Sequence, residues 1–394
     1  MKNLVTPALA VAAAAMFSQP LHAQAPLKIG VMLPTSGVLA AIGREQVNAM
    51  QLAVESAGGT VAGRKIELII EDTAANPSTG LTKARKLVIS DKVDAIAGIV
   101  SSAVALAVAP YAASARIPVV ISNAGTDNLS GDKCSRYMVR ASYSMAQTAV
   151  PIGNYMAKKG IKRVFILASD YIAPRESVNA FKKAFTAAGG QIVGEVWTPF
   201  GKTQDYGPYI SQVRAANPDA LYAVYYGGEA ILFTKQYEAF GIKDKIPLYS
   251  ALGLTPPNLR KAQGDSAVGV IQSSNYIAEL EHPENKAFVA AYRKKFNDDP
   301  GEFAAYAYDA IRVILEAVKA RNGDTSDKAA FVAAMEKVSF TGPRGPISLS
   351  STSRSITQNF YIVKSVKKPD GQLGFELMET LPNFADPITG CKLQ

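Results

Sequence analysis

Residues that carry covalent or metal chemistry are scarce: 394 residues include two histidines, two cysteines and one tryptophan. His22 lies in an N-terminal leader, which leaves His282 as the sole histidine after it. His282 stands in the polar stretch AELEHPENK, which opens a helix and reads as solvent-facing. Ser-His or Cys-His catalysis and histidine-based metal sites therefore lack their residues. There is no G-x-S-x-G elbow, no Walker A loop, and no G-x-G-x-x-G after the first strand. Glu71 and Asp72 are adjacent on a strand end and point to opposite faces, so they do not form a carboxylate pair. These absences predict a protein that is not an enzyme and needs neither metal nor cofactor.

Long apolar runs are also missing beyond residue 26, so no transmembrane helix is expected there. The first residues differ. Lys2, the apolar LVTPALAVAAAAMF and the small residues of LHAQAP read as a secretory signal peptide over residues 1–25, cleaved near Ala23–Ala25. Export changes the reading of Cys134 and Cys391. In an oxidising compartment they predict a disulfide tying the C-terminal tail to the loop SGDKCSRY, with two free thiols as the alternative. The net charge of +9 comes from dispersed pairs such as Lys158-Lys159 and Lys182-Lys183. No basic run is interleaved with aromatics, so these are solvated helix faces and no nucleic-acid partner is expected.

Strand-like and helix-like runs alternate along the chain. LKIGVMLP, KIELIIEDT, VDAIAGIV and IPVVISN read as strands, separated by helices at Gly43–Ala57, Pro77–Ile89 and Ser102–Ala115. The rhythm restarts at RVFILASD and continues through QIVGEVWTP, ALYAVYYG, IPLYSAL and GVIQSSN, with helices at Arg175–Ala188, Tyr206–Ala216 and Glu229–Phe240. Such βα alternation predicts two α/β lobes with parallel-type sheets flanked by helices. Three helices then follow, at Pro283–Asn297, Glu302–Arg321 and Asp327–Lys337, and a hairpin turns at Asp370-Gly371.

Ser101 and Ser102 join a strand to a helix, at the sheet edge where ligands bind in open α/β folds. Free N–H groups, a helix dipole and two hydroxyls suit a small carboxylate. A plain N-cap serine is the alternative. The next strand ends in SNAGT, which brings Asn123, Ala124, Gly125 and Thr126 to the same edge.

The ordered stretches LKIGVMLPTSGVLAAIG, GRKIELIIEDTAANP, GIVSS, IPVVISNAGT, YYGGEA, LYSALGL and PGEFAAYAYDA resemble the periplasmic solute-binding proteins of ABC transporters, in the branched-chain amino-acid subgroup. The resemblance implies a two-lobed type I periplasmic-binding-protein fold with hinge crossovers near Tyr143, Ser274 and Ser351. The lobes would be 26–143 plus 275–351 and 144–274 plus 352–394. It implies a monomer that captures a small-molecule ligand and delivers it to an inner-membrane permease and its ATPase. Position by position, the ligand's carboxylate would meet Ser101, Ser102, Ala124 and Thr126, with Gly125 beside them and Ile42 from the first loop. The other lobe would add Tyr171, Ala173, Tyr226, Gly228 and Glu229, and Phe303 would line the apolar side.

Two departures from the pattern concern the ligand. The amino-acid binders hold the ammonium with a carboxylate where this chain has Leu252, so an amino acid would depend on Glu229 instead. Ala173 stands where relatives often carry an aromatic residue, which enlarges the pocket. Tyr143, Tyr171, Tyr226, Phe303 and Tyr306 could stack on a ring. The favoured ligand is an aromatic or aryl-alkenoic acid. The alternatives are an amino acid or amide bound by the same fold, and a soluble sensor docking onto a membrane partner.

Overall fold

The computed structural model describes residues 25–388 and 390–392; the signal-peptide reading and its cleavage site lie outside them, save for Ala25. The first half opens with β1 (Leu27–Leu33), α1 (Ala40–Ser56), β2 (Thr60–Val61), β3 (Arg64–Asp72) and α2 (Pro77–Ile89). It continues with β4 (Ala95–Gly98), α3 (Ser102–Ser114), β5 (Val119–Ile121) and β6 (Met138–Arg140). These strands form a six-stranded sheet in the order β2-β3-β1-β4-β5-β6, parallel except for β2. Near-continuous burial of the β1, β4 and β5 strands matches a sheet covered on both faces.

The second half begins with α4 (Met145–Lys158), β7 (Arg163–Asp170), α5 (Ile172–Ala187), β8 (Gln191–Pro199) and α6 (Gly207–Ala216). Next come β9 (Ala220–Val224), α7 (Gly227–Ala239), β10 (Leu248–Ser250), α8 (Pro257–Gln263) and β11 (Ile271–Ser274). The chain then lays α9 (Pro283–Phe296), α10 (Glu302–Ala320) and α11 (Lys328–Met335) near the first half, with α10 packed on α1, β4 and β5. It ends in β12 (Ser339–Gly342), β13 (Gly345–Leu349), β14 (Ile356–Lys367) and β15 (Leu373–Phe384). The second sheet runs β12-β13-β14-β11-β10-β9-β7-β8, with β15 beside β14. The strands β8, β7, β9, β10 and β11 are mutually parallel, and the C-terminal strands join antiparallel.

The sequence rhythm leaves α4 out, because Pro151 interrupts its pattern. Its start is nevertheless signalled by a capping box. Ser144 Oγ accepts from Gln147 N at 3.0 Å, and the Gln147 side chain accepts from Ser144 N at 3.1 Å. Strand pairing also runs across the crossover. β13 sits in the ladder with β14, so the segment 339–349 shares hydrogen bonds with the second sheet.

The passages between the halves are joined by a buried polar cluster. Arg344 is fully buried, and its Nε donates to Asp309 Oδ2 at 2.8 Å. Its Nη1 reaches Gln358 Oε1 at 2.7 Å and its Nη2 reaches Ala141 O at 2.7 Å. Asn275 Nδ2 also donates to Gln358 Oε1, at 2.7 Å, and Gln358 Nε2 donates to Ser142 O at 2.7 Å. The C-terminal tail leaves the second sheet and returns to the first half, where Cys391 is disulfide-bonded to Cys134, with Cα atoms 5.5 Å apart. Asp386 accepts from Arg140 Nη2 at 2.9 Å and from Ser144 Oγ at 2.8 Å on the way. The disulfide thus ties the end of the segment 352–394 to the first half.

Candidate functional site

The carboxyl ends of β4 and β5 face those of β7 and β9 across a narrow cleft. Gly98, at the end of β4, has φ +117°, and a Cβ there would come within 2.6 Å of Met32 O. Ile99 follows at φ 67°, a left-handed conformation that costs a β-branched residue on the order of 1–3 kcal/mol. It is held there by hydrogen bonds from its N–H to Met32 O (2.7 Å) and from Ala124 N–H to its carbonyl (2.9 Å). This bend swings the chain so that α3 starts at the cleft.

The two serines then diverge. Ser101 is the N-cap, and its Oγ accepts from Val104 N at 3.5 Å. Ser102 is the first helical residue; it lines the cleft, is 1% exposed, and its Oγ has no hydrogen-bond partner. The first N–H groups of a helix have no intrahelical partner, so a donor-rich, positively polarised spot faces the cavity.

Around it stand Leu39, Ile42, Val100, Asn123, Gly125, Tyr143, Met145, Tyr171, Ala173, Tyr226 and Phe303. Among the described residues, no Asp, Glu, Lys, Arg or His is in this wall. Tyr143 OH donates to Asn123 Oδ1 at 3.3 Å, and its ring lies 5.3 Å from that of Tyr306. Tyr226 OH has only the Met145 sulfur, at 3.8 Å. Burial pushes the phenols of Tyr143, Tyr171 and Tyr226 up, so all three are neutral hydrogen-bonding groups. The space open to the centre of a water-sized sphere is about 10 Å³, roughly one water. An aromatic ring enters only as the walls part.

Of the residues expected from the sequence, Ile42, Ser102, Gly125, Tyr171, Ala173, Tyr226 and Phe303 line this cavity. Six lie off its wall. Ser101 is drawn away by the cap, and Ala124 by its backbone bond to Ile99 and its packing among the α3-side core. Thr126 is turned outward to Glu176, with Oγ1 donating to Oε1 at 2.6 Å. Gly228 lies against Val38, its N–H 3.4 Å from the carbonyl. Glu229 accepts from Gly201 N at 2.8 Å, and burial raises its pKa. Leu252 is packed in the main core. Leu39, Val100 and Met145 were not singled out as site residues; Asn123 is placed at this edge by its strand end but was not in the expected ligand set.

A periplasmic binding protein family model matches residues 26–372. Homolog 6 of the Leu/Ile/Val-binding proteins of Brucella melitensis is 32% identical over the full length of both chains. A solute-binding protein of an ABC transporter from Rhodopseudomonas palustris BisB5, solved with 3,4-dihydroxybenzoic acid, superposes with TM-score 0.88 at 37% identity, covering 92% of this chain and 99% of that one. A second R. palustris solute-binding protein, solved with benzoate, gives TM-score 0.88 at 32% identity over 93% and 100% of the two chains. Their two-lobed fold, the cleft between two α/β halves and the full-length match agree. The chain belongs to the periplasmic binding protein family, as the solute-binding component of an ABC transporter.

Proposed function

We propose that this protein captures a small aromatic carboxylate in the periplasm and carries it to an ABC importer, binding as a monomer and handing over to the permease and its ATPase. The observation that carries the ligand class is the character of the wall. One fully buried, unpartnered hydroxyl (Ser102) sits at a helix N-terminus, and the remaining wall is aromatic and apolar with no ionised side chain. A carboxylate is served at the Ser102 end, and a ring is served by Tyr143, Tyr226 and Phe303. The halves 26–143 plus 275–351 and 144–274 plus 352–394 act as the moving bodies, hinged near Tyr143, Ser274 and Ser351, with the disulfide tying the tail of the second to the first.

The names of the curated relatives favour a branched-chain amino acid as a second reading. That ligand brings an ammonium into the cleft, and a buried charge without a counter-charge is strongly disfavoured. Leu252 supplies none, and Glu229 is held by Gly201. The aromatic-acid reading is tested by titrating benzoate into the wild type and Ser102→Ala. Affinity that falls about tenfold or more in the variant supports it. Equal affinity removes Ser102 as the anion's partner.

A further inference from the structure

Glu176 stands in α5, one turn in from the cleft edge of the second half, and its carboxylate reaches across to the first half. Oε1 accepts from Thr126 Oγ1 at 2.6 Å and from Asn128 Nδ2 at 3.0 Å, and Oε2 accepts from Asp127 N at 2.9 Å. The receiving segment is fixed to its own half, because Arg140 Nη1 donates to Thr126 O at 2.7 Å. Asp127 Oδ1 also accepts from Ala146 N at the start of α4, in the second half, at 3.0 Å, a bond that lies beside the crossover. None of these groups touches the ligand cavity. We propose that Glu176 is a positioning residue that latches the two halves in the closed form, gripping residues 126–128 after the ligand has drawn the halves together. This rests on the reading of the halves as moving bodies and is independent of the ligand's identity.

Three donors converge on one side chain only when the halves meet; once they part, each is free to bond water. Truncating Glu176 therefore leaves the buried Thr126 hydroxyl without its partner on closure and strips the half-buried Asp127 N–H and Asn128 amide of theirs, a cost paid only in the closed form. The latch is also sensitive to protons. Burial raises Glu176 to about 7, against the hydrogen bonds from Thr126 and Asp127, with Asp127 repelling and Arg140 attracting its charge. Asp127 itself is raised to about 6, with Arg140 and Asp386 as its charged neighbours, and Tyr171 also faces Glu176. Opening returns the Glu176 carboxylate to water and to its usual value of 4.5. Closure thus takes up a proton between these values, and the latch is stronger at pH 6 than at pH 8.

The test uses the full mature chain carrying spin labels at Thr82→Cys in α2 and Lys235→Cys in α7, both exposed. The inter-label distance is measured at pH 6 and pH 8 without ligand, with 3,4-dihydroxybenzoate and with L-leucine. The dissociation rate of whichever probe binds is measured in parallel. In the wild type the distance shortens with that probe. In Glu176→Ala and Thr126→Val the closed population falls and dissociation speeds up about tenfold at pH 6. The double variant is no worse than Glu176→Ala alone, because the Thr126 contact is already lost with the carboxylate. Glu176→Gln keeps most of the grip and reduces the pH dependence. Shortening equal to the wild type in both single variants, or additive losses, overturns the latch while the receptor reading stands. No shortening with either probe in the wild type overturns hinge closure and the latch with it.

Discussion

Ser101 and Ser102 are indistinguishable as residue types, and one step of helix register separates their tasks. Removing the Ser101 hydroxyl costs on the order of 1 kcal/mol of stability as a lost cap, read as a lower midpoint in urea unfolding, with aromatic-acid affinity little changed. Ser102→Ala does the reverse: the urea midpoint stays and affinity drops. Gly125 gives a sharper steric test. A Cβ there would lie 2.3 Å from Met145 Cε and 2.6 Å from Tyr143 Cε2, so Gly125→Val fills the cleft and is expected to abolish calorimetric binding while the far-ultraviolet circular dichroism is preserved. The strand-end location of these residues was legible in the sequence, because β-branched runs followed by small polar residues mark a sheet edge. The diversion of Thr126 to Glu176 was not. It depends on a partner 50 residues away, set by how the halves meet and not by any local pattern.

The elements themselves followed closely from periodicity. The helix at Pro77–Ile89 and the strands RVFILASD and QIVGEVWTP have the bounds their sequences suggested. Their signals are strong: Asn76 caps the helix through Ser78 N and Thr79 N, and Pro77 takes the first turn. The short strands β2, β6, β12 and β13 carry too few residues for a period to show, and their pairing is decided by neighbours. Long-range fasteners are likewise invisible locally. Arg344 binds Asp309, Gln358 and two carbonyls with no exposed surface. Arg344→Met leaves the Asp309 carboxylate buried without its cation, which costs about 3–5 kcal/mol and should appear as a lowered guanidinium midpoint. The disulfide closes a separation of 257 residues, so Cys134→Ser with Cys391→Ser is expected to lose about 2–4 kcal/mol. Its thermal midpoint should fall to that of the reduced wild type.

At the scale of the whole molecule, several carboxylates are buried between helices and carry raised pKa values through desolvation. Glu45 is near 8, Glu302 and Glu176 near 7, and Asp127 near 6. Glu45 and Glu302 also repel one another, and both Glu302 oxygens lack hydrogen-bond partners. Unfolding returns these groups to 4.5 or 3.8. Each therefore stabilises the fold fully below its unfolded value and loses that contribution as pH rises through its folded value. The thermal midpoint is expected to fall between pH 5.5 and pH 8.5, roughly the span of these folded values, and Glu45→Gln should flatten the slope. A midpoint that rises over this range would contradict the penalty that burial places on the charged form of these acids.

The two-lobed plan was readable because βα alternation restarts once along the chain; the ligand was not, since it depends on which side chains the closed cleft leaves without partners. The most direct test is calorimetric titration of the ligand-stripped protein with benzoate, 3,4-dihydroxybenzoate and L-leucine. The account predicts saturable binding of the aromatic acids with a negative heat-capacity change, and no binding heat with leucine. Saturable leucine binding with silent aromatic acids would contradict it, and would mean that an acid outside the observed wall turns in to meet the ammonium.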